Sequence, residues 1–191
     1  MSHVIWITGL SAAGKTTLAK AVTAQLRVGG ESAIMLDGDD LRDAFGLTQK
    51  AHTREARLDL AFQYCRLARM IARQGVTVVV GTVALFKEVH EWNRRHLPGY
   101  FEVYLQVPLA ELRRRDPKGL YHRFDAGEIA NVAGLDLPVD EPVSPHVKIT
   151  YQDGLTVEKE LELVLQKLDE HRSLGRVGSH RSATPSTFHE S

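Results

Sequence analysis

With 191 residues, 43% of them apolar and 25% charged, the chain is long enough for one compact domain with a sizeable core. Its 24 Lys and Arg balance 24 Asp and Glu, giving a formal net charge of zero. That balance excludes a broad electrostatic footprint for nucleic acid or an anionic membrane and leaves only a local basic cleft open. A single cysteine, Cys65, excludes an intrachain disulfide and a zinc site built on cysteines.

No apolar run reaches the length of a membrane span. The opening HVIWIT has no basic leader before it and reads as a buried first strand, not a signal peptide, so the expected compartment is the cytoplasm. A helix is expected from Lys15 to about Val28, stopped by Gly29-Gly30. SAIMLD is a second strand, and a long helix follows from about Thr53 to Gln74. On it Leu58, Ala61, Cys65, Ala68 and Ala72 share one face, so Cys65 reads as a small buried hydrophobe. VTVVVGTV is a β-branched run typical of a central parallel strand. LFKEVHEWNRRHL is helical and YFEVYLQV is a strand, closed by Pro98 and Pro108 in turn.

Residues 108–145 read as a short helix and then a mobile covering segment. HVKITY is a last strand, and the amphipathic TVEKELELVLQKLDEHRSL is a last helix. The boundaries are therefore a domain over residues 1–174 with a lid at about 113–140, and a disordered polar tail over 175–191. Strands alternating with helices predict an α/β fold, a parallel sheet covered on both faces, with ligands at the carboxyl ends of the strands.

At the first such end, GLSAAGKT matches G-x-x-x-x-G-K-[ST] at every fixed position. Gly9 and Gly14 let the backbone N–H groups of Ser11, Ala12 and Ala13 turn inward as an anion nest, and the following helix adds its positive end. Lys15 supplies a cation for the β- and γ-phosphates, Thr16 a hydroxyl for Mg²⁺, and Thr17 a second hydroxyl beside it. No guanine-reading N-K-x-D is present. A short chain with a basic Gly/Pro-containing segment after the fourth strand points to a small-molecule kinase with a lid.

LDGDDLR follows the second strand. Asp37 and Asp39 have the chemistry to organise Mg²⁺ and to orient or deprotonate an acceptor hydroxyl, although Asp39 equally suits a helix cap. RRRDPKGLYHR gathers Arg113, Arg114, Arg115, Lys118 and Arg123 into a basic cluster able to clamp phosphate or stack on a base. A solvated helix end is the plain alternative for Arg113 or Arg114.

With GLSAAGKTTLA, LDGDDLR, FEVYLQVPL, RDPKGLY and AGEIANVAGLDLPVDEP, residues 4 to about 170 resemble the adenylylsulfate kinases, P-loop enzymes that use ATP to phosphorylate the ribose 3′-hydroxyl of adenosine 5′-phosphosulfate. The resemblance implies that Lys15, Thr16 and Thr17 bind ATP and Mg²⁺, that Asp37 and Asp39 serve catalysis and the metal, and that Arg115 lies near the ATP base. It also implies that Arg42 and Arg57 face the acceptor, that Lys118, Leu120 and Tyr121 close over it, and that the protein is a homodimer acting on small-molecule nucleotides.

The acceptor segment departs from that family. HTREARLDL stands in place of F-S-R-E-D-R-x-E-N, so His52 replaces an aromatic platform and Leu60 replaces an amide. VAL, with Val83 and Ala84, replaces I-S-P, and a foreign Trp-Asn-Arg pattern follows in FKEVHEWNRRHLPGYFEVYL. These changes resemble the branch associated with capsule or surface-polysaccharide synthesis, which includes a cytidine diphosphoramidate kinase. Two acceptors therefore stand: adenosine 5′-phosphosulfate, as in sulfate assimilation, and a cytidine diphosphoramidate. A non-catalytic nucleotide-binding regulator is the reading from another class.

Overall fold

A computed structural model describes residues 2–46 and 53–179. Strands β1 (Val4–Gly9), β2 (Ala33–Asp37), β3 (Thr77–Thr82), β4 (Tyr100–Gln106) and β5 (Val147–Thr150) form one sheet in the order β2-β3-β1-β4-β5. Every pairing is parallel. Parallel neighbours need crossovers, and helices α1 (Lys15–Val28), α2 (Gly38–Ala44), α3 (Arg54–Ala72), α4 (Lys87–His96), α5 (Leu109–Arg115), α6 (Leu120–Asp125) and α7 (Val157–Ser179) lie on the connections. The expected α/β parallel sheet is the fold observed.

Side chains alternate across each strand, and this alternation divides the core. Ile5, Ile7, Val79, Phe101 and Val103 pack with Leu18, Val22, Leu112, Val164 and Leu168 on the α1–α7 face. Val4, Trp6, Val78, Val80 and Tyr100 pack with Leu60, Ala61, Cys65, Ala68 and Val89 on the α3–α4 face. Burial pushes the Cys65 thiol up to about 12, so it sits in the core as a neutral, unreactive side chain.

Three features differ from the sequence reading. The last helix continues past Leu174 through Gly175 and Gly178 to Ser179, because each glycine costs only about 1 kcal/mol in a helix and the next proline, Pro185, lies beyond it. Residues 180–191, the remainder of the tail, lie outside the described residues. The covering segment contains a second helix, α6, and its return is tied to the body. Asp140 N–H donates to the Leu85 carbonyl at 2.9 Å, and the Asp136 carboxylate accepts from the N–H groups of Asn131 and Val132 at 2.6 Å each.

Candidate active site

The carboxyl ends of β1, β2 and β3 meet at residues 9–17, 37–42 and 82–84. The first of these turns is possible because of two glycines. A Cβ at Gly9 would stand 2.7 Å from the Leu105 carbonyl oxygen, and Gly14, at φ 99°, opens α1 in a left-handed conformation. Between them Ala12 also adopts a positive φ of 63°. The loop curls over Lys15, whose Nζ donates to the Leu10 carbonyl at 2.7 Å.

Burial pushes the Lys15 ammonium down to about 8, against the opposing pull of the Asp39 and Asp37 carboxylates. In the free protein Lys15 is therefore a cation below about pH 8 and loses its charge above it. Bound phosphates would favour the charged form. Hence kcat/KM for ATP is expected to fall about tenfold per unit above pH ~8, with kcat level to higher pH. A pH series of initial rates at limiting and saturating ATP checks this, and a kcat/KM that stays level through about pH 9 would show that Lys15 never loses its proton.

Thr16 and Asp37 are joined directly: Thr16 Oγ1 donates to Asp37 Oδ2 at 2.6 Å. The other oxygen, Asp37 Oδ1, accepts from Asp39 N–H at 2.8 Å and caps α2. The capping carboxylate is thus Asp37, not Asp39, because the helix begins one residue after the strand and Asp39 already lies in its first turn. Asp37 is buried, fixed by these two contacts and braced from below by Tyr64, whose hydroxyl donates to the Gly38 carbonyl at 3.2 Å. Asp39 instead projects into the open basin, where it pairs with both Arg42 and Lys118. Partial burial pushes its carboxyl up, but the hydrogen bond from Lys118 and the Arg42 guanidinium outweigh this and hold it below the usual carboxylate range.

Residues of α5 and α6 reach back to the phosphate loop. Arg115 Nη1 donates to the Ala12 carbonyl at 3.5 Å, and its guanidinium lies over the Tyr151 ring at 5.1 Å. Tyr121 is buried in the α1–α7 core, and its hydroxyl donates to the Ser11 carbonyl at 3.0 Å. Tyr121 therefore braces the phosphate loop from beneath, while Leu120 beside it is half-buried. Arg113 and Arg114 are paired locally, with Asp125 and Glu111, as expected for a solvated helix end.

On the acceptor side, Arg57 Nε is buried and has no hydrogen-bond partner among the described residues. Burial and the neighbouring Arg42 guanidinium make its charge costly, and Asp136 offsets this only in part. Leu60 packs in the α3–α4 core with Leu41 and Ala84. Val83 is half-buried, and its carbonyl accepts from Thr8 Oγ1 at 3.1 Å. His52 lies outside the described residues.

A profile of the adenylylsulphate kinase family matches residues 1–150. This chain belongs to that family. The cytidine diphosphoramidate kinase of Campylobacter jejuni is 37% identical over 166 residues, covering 87% of this chain and 96% of that protein. A probable adenylyl-sulfate kinase of Pyrococcus abyssi is 35% identical, covering 87% of this chain and 94% of that protein. The APS kinase CysC of Mycobacterium tuberculosis, solved in complex with AMPPNP and APS, superposes with a TM-score of 0.80 at 30% identity, covering 88% of this chain and 98% of that one. The protein is accordingly an adenylylsulfate kinase-like, ATP-dependent phosphotransferase, and the reading as a non-catalytic regulator falls.

Several members of this adenylylsulfate kinase-like site carry no role in the sequence reading. Asp136 closes the turn over residues 131–137, in which Gly134 packs so tightly that a Cβ would meet the Leu10 side chain at 2.8 Å, and its charge favours the cationic form of Arg57. An Asn and an Asp flanking a glycine in NVAGLD is the local signal of such a turn. Tyr64 and Tyr151 gave no signal, since nothing in a linear pattern places them next to Gly38 and Arg115.

Proposed function

We propose that the protein transfers the γ-phosphoryl group of ATP to the ribose 3′-hydroxyl of a nucleotide that carries a diphosphate-like anion, and that a cytidine diphosphoramidate-type nucleotide is its better acceptor. The observation that carries this reading is the asymmetry of the acceptor basin. Arg42 and the unpartnered Arg57 offer charge for the anion, whereas Leu60 and Ala84, 5% exposed each, offer no amide to a purine edge. The 37% identity to a cytidine diphosphoramidate kinase supports it. Adenosine 5′-phosphosulfate is the second reading, and the superposition on an enzyme solved with AMPPNP and APS favours it.

In this reading the backbone N–H groups of the phosphate loop, other than that of Ala13, which donates to the Leu10 carbonyl at 3.2 Å, act with the end of α1 and Lys15 to hold the β- and γ-phosphates, and Arg115 lies at the donor base. The Thr16 hydroxyl and Asp37 carboxylate are adjacent hard oxygen donors that suit Mg²⁺, which ordinarily keeps waters and phosphate oxygens as its other ligands. Bound Mg²⁺ supplies neutralisation of charge on the transferring group. Asp39 orients the 3′-hydroxyl and takes its proton, while α5 and α6 keep water from the transferring phosphoryl group. The same reading has the enzyme act in the cytoplasm as a homodimer. No helix among the described residues is long and apolar enough to cross a membrane.

The test is a panel of ADP-release rates and thermal shifts with Mg·ATP against adenosine 5′-phosphosulfate, CDP and simple nucleoside monophosphates. Exchanging a phenyl platform for the smaller imidazole of His52 weakens base stacking, which is worth roughly 1–3 kcal/mol per base, and an unpaired base edge costs roughly 1–3 kcal/mol more. The expected preference for CDP over adenosine 5′-phosphosulfate in kcat/KM is therefore on the order of a hundredfold. Efficient phosphorylation of adenosine 5′-phosphosulfate, with no response to cytidine nucleotides, would overturn the choice of acceptor in favour of the second reading.

A further inference from the structure

The pattern HEWNRR, residues 90–95, is foreign to the adenylylsulfate enzymes and takes no part in the site described so far. Two of its side chains, His90 and Arg94, converge on Glu102. On β4 the alternation sends Phe101, Val103 and Leu105 into the α1–α7 core, so residue 102 points with Tyr100 into the α3–α4 core. An apolar side chain belongs there, yet the residue is a fully buried carboxylate. Glu102 Oε1 accepts from the Tyr100 hydroxyl at 2.9 Å and lies 2.7 Å from His90 Nδ1, and Oε2 accepts from Arg94 Nη2 at 2.6 Å. Without these partners a carboxylate in that place would be strongly destabilising.

The two basic residues do not end at Glu102. His90 Nε2 lies 3.1 Å from the Asp140 carbonyl, so both ring nitrogens face oxygen acceptors. A ring protonated on both nitrogens donates to both, and a neutral ring to only one. Arg94 donates onward to the Ser144 carbonyl at 2.7 Å and to Ser144 Oγ at 2.9 Å. At the start of α4, Lys87 N–H donates to Asp140 Oδ2 at 3.2 Å, and Asp140 N–H returns to Leu85, inside the altered segment 83–85. Residues 140–144 are thus fastened to α4, and the 131–137 turn, whose Gly134 packs on Leu10 of the phosphate loop, lies immediately before them in the chain.

We propose that Glu102, His90 and Arg94 are positioning residues for the acceptor: the buried carboxylate aligns the two basic side chains, these hold residues 140–144 against α4, and that hold sets the 83–85 segment, bonded to Asp140, and the 131–137 turn that precedes it in the chain. Because it assigns this cluster to the acceptor, the proposal rests on the functional reading above.

Two variants test it. His90→Gln retains one hydrogen bond of the pair and loses the other. Asp140→Ala removes only an exposed side chain, cutting its contacts with Lys87 N–H and Arg54 while leaving the buried cluster intact. For each, amide hydrogen exchange is measured on the free protein, and KM and kcat are measured with CDP, adenosine 5′-phosphosulfate and ATP. Exchange is expected to accelerate over residues 131–144 and to stay slow in β1 and β4. KM for the nucleotide acceptor should rise about tenfold, with kcat and KM for ATP unchanged, the signature of lost acceptor binding alone. Unchanged exchange over 131–144 in both variants would overturn the proposal. So would faster exchange without a selective rise in acceptor KM, because a purely structural cluster would loosen the chain and leave that split unmoved. A wild-type protein that turns over no nucleotide would sink the functional reading instead, while the exchange measurement, which needs no acceptor, would still decide whether the cluster fastens this segment.

Discussion

Replacing Lys15 by alanine is expected to abolish phosphoryl transfer and leave the fold intact. The Lys15 ammonium is the cation enclosed by the phosphate loop, and its hydrogen bond to the Leu10 carbonyl at 2.7 Å is one that a bound phosphate oxygen can replace. Its charge is held in place before substrate arrives, so it stabilises the developing charge of the transferring group without reorganisation. Loss of one such preorganised donor costs roughly 10²–10³ in kcat, about 2.7–4 kcal/mol, and more is expected here because a full charge is removed. Stability should change little, because alanine is the best helix former and Lys15 only opens α1. Rates at saturating ATP and acceptor, paired with circular dichroism of the variant, check this. A folded Lys15→Ala protein with near-native turnover would show that the loop does not bind the transferred phosphate.

The second large effect separates the two aspartates. Asp39→Asn keeps the size of the side chain and removes the base, and loss of a general base commonly lowers kcat by roughly 10²–10⁴. The same change frees Arg42 and Lys118, both paired with Asp39 in the free protein, so KM for an anionic acceptor should fall or stay level while kcat collapses. Asp37→Asn should behave differently. Its carboxylate is committed to Thr16 and to the α2 cap, at 2.6 and 2.8 Å, and it lies away from the open basin. Turnover should drop much more than ATP affinity, and raising Mg²⁺ should recover part of it. Titrations of Mg²⁺, ATP and acceptor on both variants decide the assignment. A fall in acceptor affinity for Asp39→Asn, or a collapse of ATP binding for Asp37→Asn, would reverse or remove these roles.

Much of this molecule was legible in one dimension because its signals are local. Continuous apolar or β-branched runs and period-3.6 patterns located every strand and the long helices to within a few residues, since a strand buried on both faces and a helix packed on one face leave no freedom in where apolar side chains go. The phosphate loop was equally legible: its glycines, lysine and threonine are consecutive, and the strand and helix that frame them are neighbours in the chain. By itself, then, the amino-acid order determined the parallel α/β architecture and the nucleotide-binding loop.

Other features came only with the tertiary structure. The capping role passed from Asp39 to Asp37 because the strand-to-helix turn is tighter by two residues than the pattern indicates. Tyr121 turned beneath the phosphate loop instead of over the acceptor, because α6 lays it into the α1–α7 core. Above all, nothing local reveals that His90, Arg94, Asp140 and Ser144 gather around Glu102, since residues up to fifty positions apart meet there. Their contacts depend on the register of β4 in the sheet and on the angle at which α4 crosses it. Burial of one carboxylate among apolar side chains makes those contacts obligatory, but only the folded chain decides which donors are near enough to satisfy it.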